Sequence, residues 1–149
     1  MTDAVVIIGA GPAGARAAET LVKAGLRPVV IDEAPKSGGQ IYRRQPDGFR
    51  RPIEHLYGYE APKARSIHAT FDGLRDRIDY RPNTLVWEIR EGQVHLIDNA
   101  TDKRSSLPHG SLILATGAMD RVVPMPGWTL PDVYTLGGAQ IALKFQGCA

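Results

Sequence analysis

The sequence predicts an α/β fold in which a sheet begun by a βαβ unit carries an antiparallel β-meander. Three stretches of the 149-residue chain predict it. Ala4 to Glu33 reads as buried strand, glycine turn, helix, buried strand and acid, in one run of about thirty residues. Thr84 to Ile97 alternates apolar and polar residues on either side of Glu91-Gly92, the pattern of a hairpin. Leu112 to Ala118, LILATGA, reads as another buried strand, ending in small residues.

Val5 to Ile8 is apolar and mostly β-branched, as in a strand covered on both faces. Gly9-Ala10-Gly11-Pro12-Ala13-Gly14 follows at once. Gly9 allows a tight strand-to-helix turn, Gly11 lets backbone approach a pyrophosphate, and Gly14 lets the helix pack closely on the strand. Pro12 and Ala13 open the helix, where the missing proline N–H has no intrahelical partner to lose. The free N–H groups of that first turn would cradle the pyrophosphate. The helix is expected to run to about Ala24, with Ala13, Ala17, Leu21 and Ala24 on one face and Gly25 as its stop. Pro28 to Ile31 is the second strand and delivers Asp32, eighteen residues after Gly14. A carboxylate at that place accepts hydrogen bonds from a ribose. Glu33 is the fallback if the strand ends one residue later; its plain alternative is a solvated loop acid. Asp32 argues against a 2′-phosphate, but the motif leaves FAD and NAD both open.

Apolar residues make up 43% and charged residues 23% of the chain, so a packed core is expected. The net charge of +2 comes with scattered arginines and no aromatic-interleaved basic stripe, which argues against nucleic acid as a partner. No apolar run is long enough for a membrane span, and the cytosol is the default compartment. Cys148 is the single cysteine, so no CxxC pair can form within the chain. His55, His68, His95 and His109 are too scattered for a metal site.

Lys36 to Pro62 shows no sustained period and reads as a long loop, beginning with Gly38-Gly39-Gln40-Ile41-Tyr42-Arg43. Two glycines there let backbone pass close to a flat ligand, and Gln40 offers both donor and acceptor. His55 and Tyr57, farther along the loop, read as surface residues. Pro62 to Ile78 is a second helix, whose stripe of Ile67, Phe71, Leu74 and Ile78 is core. Tyr80-Arg81-Pro82 breaks it. Leu85, Trp87 and Ile89 fall on one face of the next strand, with Trp87 expected in the core. Val94 and Leu96 alternate in the strand after it, and Arg104 to Leu107 could add a third. With no crossover helix between them, these strands are antiparallel. At the end of LILATGA, Ala115, Thr116 and Gly117 leave room for a ligand, where open α/β sheets bind. A proline-punctuated connector and a short helix, Leu136 to Phe145, close the chain.

These pieces together resemble the FAD-binding domain of the two-dinucleotide flavoproteins, the superfamily of glutathione and thioredoxin reductases. The resemblance rests on the GAGPAG turn, Asp32, the Gly38-Gly39-Gln40 loop, the meander and Ala115-Thr116-Gly117. It is closer still to an amine-oxidising branch: the A-type subunits of opine oxidases, the B-type subunit of hydrogen cyanide synthase, and proline dehydrogenase and sarcosine oxidase α-type subunits. Gly38 to Arg43 and the segment ATGAMDRVVPMPGWTLPDVYTLGGAQIALKFQG carry that likeness, with Asp132 standing where relatives often have glycine.

The resemblance implies a Rossmann-like FAD-binding fold, with FAD rather than NAD as the cofactor. It places Gly9, Gly11 and Gly14 at the pyrophosphate, with Asp32 at the ribose. Gly39 and Gln40 would lie near the ribityl chain or ring, Thr116 and Gly117 near the pyrophosphate, and the Val86 backbone near adenine. It implies oxidation of an amine in a small amino-acid derivative with hydride passing to flavin, and a partner that is a second flavoprotein subunit. No catalytic acid or base is identified. In the family the chain continues into a second, NAD-like domain. Residues 1–149 would then be a single FAD-binding domain, with 118–149 a connector and short helix leading toward that domain, truncated about where it begins. Two alternatives stand beside this reading: an NAD(P)H-linked flavoprotein reductase, and a non-catalytic truncated dinucleotide-binding domain.

Overall fold

The computed structural model describes residues 4–148. Four parallel strands form the central sheet: β1 (Val5–Ile8), β2 (Val29–Ile31), β3 (Asp79–Arg81) and β7 (Ser111–Leu114), in the order β3-β2-β1-β7. The chain moves outward from β1 through β2 to β3, then returns to lay β7 on the other side of β1. That reversal makes a topological switch point at the carboxyl ends of β1 and β7. Residues 84–108 form a separate antiparallel sheet of β4 (Thr84–Arg90), β5 (Gln93–Asp98) and β6 (Arg104–Pro108).

The core has two halves because strand side chains alternate. On one face of the parallel sheet, Ile7 and Val30 pack under α1 (Pro12–Lys23) and α3 (Ala61–Asp72), against Ala15, Ala18 and Phe71. On the other, Val6, Ile8, Val29 and Ile31 pack on Val94 and Leu96 of the meander. The arrangement is therefore three layers: helices, parallel sheet, meander. β1 is buried on both sides, as its unbroken apolar run requires.

Helix α1 turns a different face inward from the one expected. Gly14, Ala15, Ala18 and Val22 are buried, while Ala13 and Ala24 are exposed. The smallest side chains face the sheet, which lets the helix axis come close. Gly25 stops the helix at φ +82° as expected, and the Leu26 N–H donates back to Leu21. The stripe Ile67, Phe71, Leu74 and Ile78 is core, though α3 itself ends at Asp72 and is capped by Gly73.

Three other elements depart from expectation. The long loop contains α2 (Ile53–Tyr57) and a 3-10 turn over Gly58–Glu60, and Tyr57 is buried rather than superficial. Tyr80 and Arg81, expected only to break a helix, belong to β3, whose pairing with β2 outweighs the nearby proline. β7 is an edge strand among the described residues and only half covered, with Leu114 64% exposed.

Trp87 is not in the core. It is 51% exposed and leans on His95 with ring centroids 5.4 Å apart. Only one face of the meander is covered, and the β4–β5 register slips between Val86 and Glu88. Val86 opposes the buried Leu96 on the inner face, whereas Leu85 opposes Ile97 on the outer one. After the slip Ile89 opposes buried Val94, so Leu85, Trp87 and Ile89 do not share a face.

Beyond β7 a largely exposed connector leads to α4 (Leu136–Ile141), which continues as a π-helical turn over Ala142–Gln146. Asp132 adopts φ +66°, a left-handed conformation that aspartate tolerates better than most side chains. Ala149 lies outside the described residues.

Candidate dinucleotide site at the switch point

The sheet topology brings four separate segments to the carboxyl end of β1. Gly9 leaves the strand at φ +105°, and its N–H donates to Ile31 O at the end of β2 (2.7 Å). A Cβ on Gly9 would overlap the Ala115 carbonyl, which β7 delivers alongside by donating Ala115 N–H to Ile8 O (2.8 Å). A Cβ on Gly14 would overlap Gly9 O and touch Ile7. Gly14 is thus needed for the helix to close on the turn itself as well as on the strand.

Gly38-Gly39 forms the other wall. The Gly38 N–H donates to Ala10 O (2.9 Å). A Cβ on Gly39, at φ +62°, would lie 2.9 Å from Gly11 Cα, and one on Gly11 would lie 3.6 Å from Gly39 Cα. The two glycine segments therefore meet backbone to backbone, an approach that a side chain on Gly39 would force apart.

Gly11 caps α1 without a side chain, and Ala15 is the first to donate back, to Gly11 O. The N–H groups of Gly11, Ala13 and Gly14 have no acceptor among the described residues. Three donors and the positive end of a helix dipole thus face the same opening. Such a set suits a diphosphate.

Asp32 is half-buried at the end of β2. Its carboxylate accepts from Ala10 N–H at 2.5 Å and from Ala34 N–H at 2.8 Å. One acid therefore braces the glycine turn and the start of the next loop, and its remaining lone pairs are available to a sugar hydroxyl. Glu33 is exposed, as the alternative of a solvated loop acid has it. Val86 lies two residues beyond Thr84, whose N–H donates to Asp32 O (2.9 Å), so β4 starts beside the acid. Gln40 reaches the other way, toward the first turn of α4, where a Cβ on Gly137 would lie 2.6 Å from Gln40 Nε2. Pro12 and Ala13 occupy the first turn of α1, with Pro12 against Gly39; Thr116 and Gly117 follow β7 and are exposed. Gly9 to Gly14, Asp32, Gly39 and Ala115 are thus gathered at one place, with Gln40 and Val86 on opposite flanks.

Several side chains that brace this region carry no local motif. Asp120 Oδ2 accepts from Gly137 N–H (2.7 Å), and the Thr135 hydroxyl together with that bond holds its carboxyl below the usual range. Burial pushes the His68 imidazole down, toward the neutral form. Burial, reinforced by Arg43, pushes the Lys144 ammonium down as well. A lysine among Ile141, Ala142, Leu143 and Phe145 was the one sequence signal; nothing local marked Asp120 or His68. No group of three or more potential metal-ligating side chains occurs among the described residues, and none of their helices is long and apolar enough to cross a membrane.

Comparison with known proteins adds to this geometry. The family described as pyridine nucleotide-disulphide oxidoreductase matches residues 3–142. The A-type subunit of opine oxidase from Rhizobium meliloti is 42% identical over 152 residues, covering 96% of this chain and 28% of its own length. The hydrogen cyanide synthase subunit HcnB of Pseudomonas protegens is 36% identical over 140 residues, covering 93% of this chain and 29% of its own. The chain thus spans less than a third of these relatives. Among solved structures, L-proline dehydrogenase from P. horikoshii superposes with a TM-score of 0.73 over 97% of this chain and 28% of that one; at 21% identity the likeness is one of fold.

Proposed function

The chain belongs to the pyridine nucleotide-disulphide oxidoreductase family, and on that premise we propose that it is the FAD-holding part of an oxidoreductase that oxidises amines of amino-acid derivatives. The observation that carries the proposal is the meeting of Gly9–Gly14, Asp32, Gly39 and Ala115 at the switch point, with three N–H donors turned into the gap. In this reading Gly11, Ala13 and Gly14 hold the diphosphate by N–H groups, beside Pro12 and Gly9. Asp32 accepts from the adenosine ribose, with Glu33 exposed to solvent beyond it. The Val86 backbone flanks the adenine, while Gly39 and Gln40 lie toward the ribityl chain and ring. Ala115, Thr116 and Gly117 close the diphosphate from the β7 side.

Bound there, the flavin would supply the two-electron acceptor chemistry that protein side chains lack. The chain's own part is to bind, orient and shelter. The relatives' names support the substrate class and a multi-component setting: a subunit of an opine oxidase and the HcnB subunit of hydrogen cyanide synthase. A small amine substrate, a partner that is a second flavoprotein subunit, and a cytosolic setting follow within the proposal. Residues 118–148 serve in it as a connector with a short helix. Disulfide reduction is disfavoured by Cys148 being the single cysteine.

Purified chain should carry, or take up, one acid-releasable FAD and turn yellow, with NAD a poor competitor. Tight NAD binding with no FAD uptake would overturn the cofactor assignment. A complex with its partner that reduces bound FAD when given octopine, nopaline or proline would support the substrate class. Reduction only by NAD(P)H would replace it with the reductase reading.

A further inference from the structure

Just past the Gly38-Gly39-Gln40 loop, three successive backbone carbonyls are each taken by a side chain from a different element. Ile41 O accepts from Lys144 Nζ at 2.7 Å, a bond between residues 103 positions apart in the chain. Tyr42 O is 2.8 Å from His68 Nε2 of α3, and since a carbonyl only accepts, Nε2 carries the proton. Arg43 O accepts from the Tyr57 hydroxyl of α2 at 2.6 Å. The three donors also touch one another: Lys144 Nζ lies 5.4 Å from the Tyr57 ring centre, and Tyr57 and His68 meet edge to face at 6.0 Å.

Ordinary loops leave such carbonyls to water. Burying an ammonium group is expensive, and Lys144 is 7% exposed with no carboxylate in ion-pair range among the described residues. Its acceptors are the Ile41 carbonyl, the Gln140 amide oxygen at 3.5 Å and the Tyr57 ring face. Packing alone would be met as well by methionine or leucine. The bonds instead converge on the three residues that follow Gly39 and Gln40, and Gly39 rests on Gly11.

We infer that Tyr57, His68 and Lys144 act as a clamp on the segment Ile41 to Arg43, positioning residues that hold the Gly38–Gln40 wall against the glycine turn and so preorganise the dinucleotide site. The inference rests on the cofactor reading for its purpose but not for its geometry. Lys144 ties the π-helical turn to this wall, so that turn and the site are mechanically joined. A pre-set wall spares the ligand the cost of ordering it.

The test uses Tyr57→Phe, which removes one oxygen, and Lys144→Met, which keeps most of the length of the side chain. The Tyr42 N–H donates to Gly38 O at 3.2 Å, so its exchange with deuterium reports opening of the wall. In either variant, ligand-free, that amide should exchange about tenfold faster, as for one lost net hydrogen bond. Amides of β1 and α1 should keep their wild-type rates, and FAD should bind up to about tenfold more weakly. Unchanged exchange at Tyr42 in both variants, or acceleration spread evenly through β1 and α1, would overturn the clamp. If wild-type chain binds no FAD, the cofactor reading falls, and the exchange measurement still decides the clamp. If FAD binds but Tyr42 exchange does not move, the cofactor reading survives and the clamp does not.

Discussion

Asp32→Ala separates the two duties assigned to one acid. Without ligand, the substitution removes the acceptor shared by Ala10 N–H (2.5 Å) and Ala34 N–H (2.8 Å). Hydrogen bonds to a charged group contribute about 1.5–3 kcal/mol each. The carboxylate is only half-buried and water can reach Ala34, so the pair together should be worth about 2–3 kcal/mol, near the lower end. For a domain of this size that lowers Tm by roughly 5–12 °C. The ribose contact comes on top of this, as a further loss of about 1–3 kcal/mol in FAD binding, or roughly 5- to 150-fold in Kd. Asp32→Asn retains one carbonyl acceptor and should fall between wild type and alanine on both scales. The assays are thermal unfolding of the ligand-free protein by circular dichroism and FAD titration by flavin fluorescence. A Tm within about 2 °C of wild type would refute the bracing of the glycine turn. A lowered Tm with unchanged Kd would leave the brace and remove the ribose role.

Gly39→Ala forces a side chain into the left-handed region and brings its Cβ to 2.9 Å from Gly11 Cα. The conformational cost is about 1–2 kcal/mol, and FAD affinity should fall at least about tenfold as the walls part. Gly25→Ala, at φ +82° with open space around it, is the control: similar strain and unchanged FAD affinity, with equal loss in both variants refuting the wall contact. Burial pushes the Tyr80 hydroxyl up to about 12 from 10.0, with the Asp32 charge adding to it. A folded-state value above the unfolded one contributes stability that is fully present below pH 10 and lost as pH rises toward 12. That hydroxyl is buried without a hydrogen-bond partner among the described residues, so Tyr80→Phe should leave stability at pH 7 unchanged or raise it by up to about 1 kcal/mol. It should also flatten the decline between pH 10 and 12; a clear loss of stability at pH 7 would show a missed partner.

The opening βαβ unit was legible because each of its signals is local. An unbroken apolar run, glycines at fixed offsets and an acid at the end of the second strand need no knowledge of the rest of the chain. The meander was legible as strands but not as faces. One extra residue between Val86 and Glu88 reverses the pattern beyond it, and no residue type there announces the slip. β3 was hidden because three residues, Asp79–Arg81, are too few to show a period beside Pro82. The place of the glycine turn after β1 and of Asp32 after β2 was legible in the sequence, whereas the supports of the Gly39 wall were not. Lys144 meets Ile41 across 103 positions and Asp120 meets Gly137 across 17, distances at which only the folded chain relates them.

The strand order has a consequence for how the molecule assembles. β1, α1 and β2 are neighbours in sequence and can pair early, but Val5 pairs with Ser111, 106 positions away, and β7 must return across that span to reach it. Closing a loop of that length costs entropy before any contact repays it, which makes such a pairing a late event. The glycine turn is therefore available before the carbonyl of Ala115 arrives beside it, and the Lys144 bond to Ile41 must follow later still. Until β7 docks, the glycine turn is half a cradle, and the ligand-ready one exists only once Ala115 is in place beside Gly9. A cofactor present at that moment would bind the closed state alone and draw the slow pairing forward.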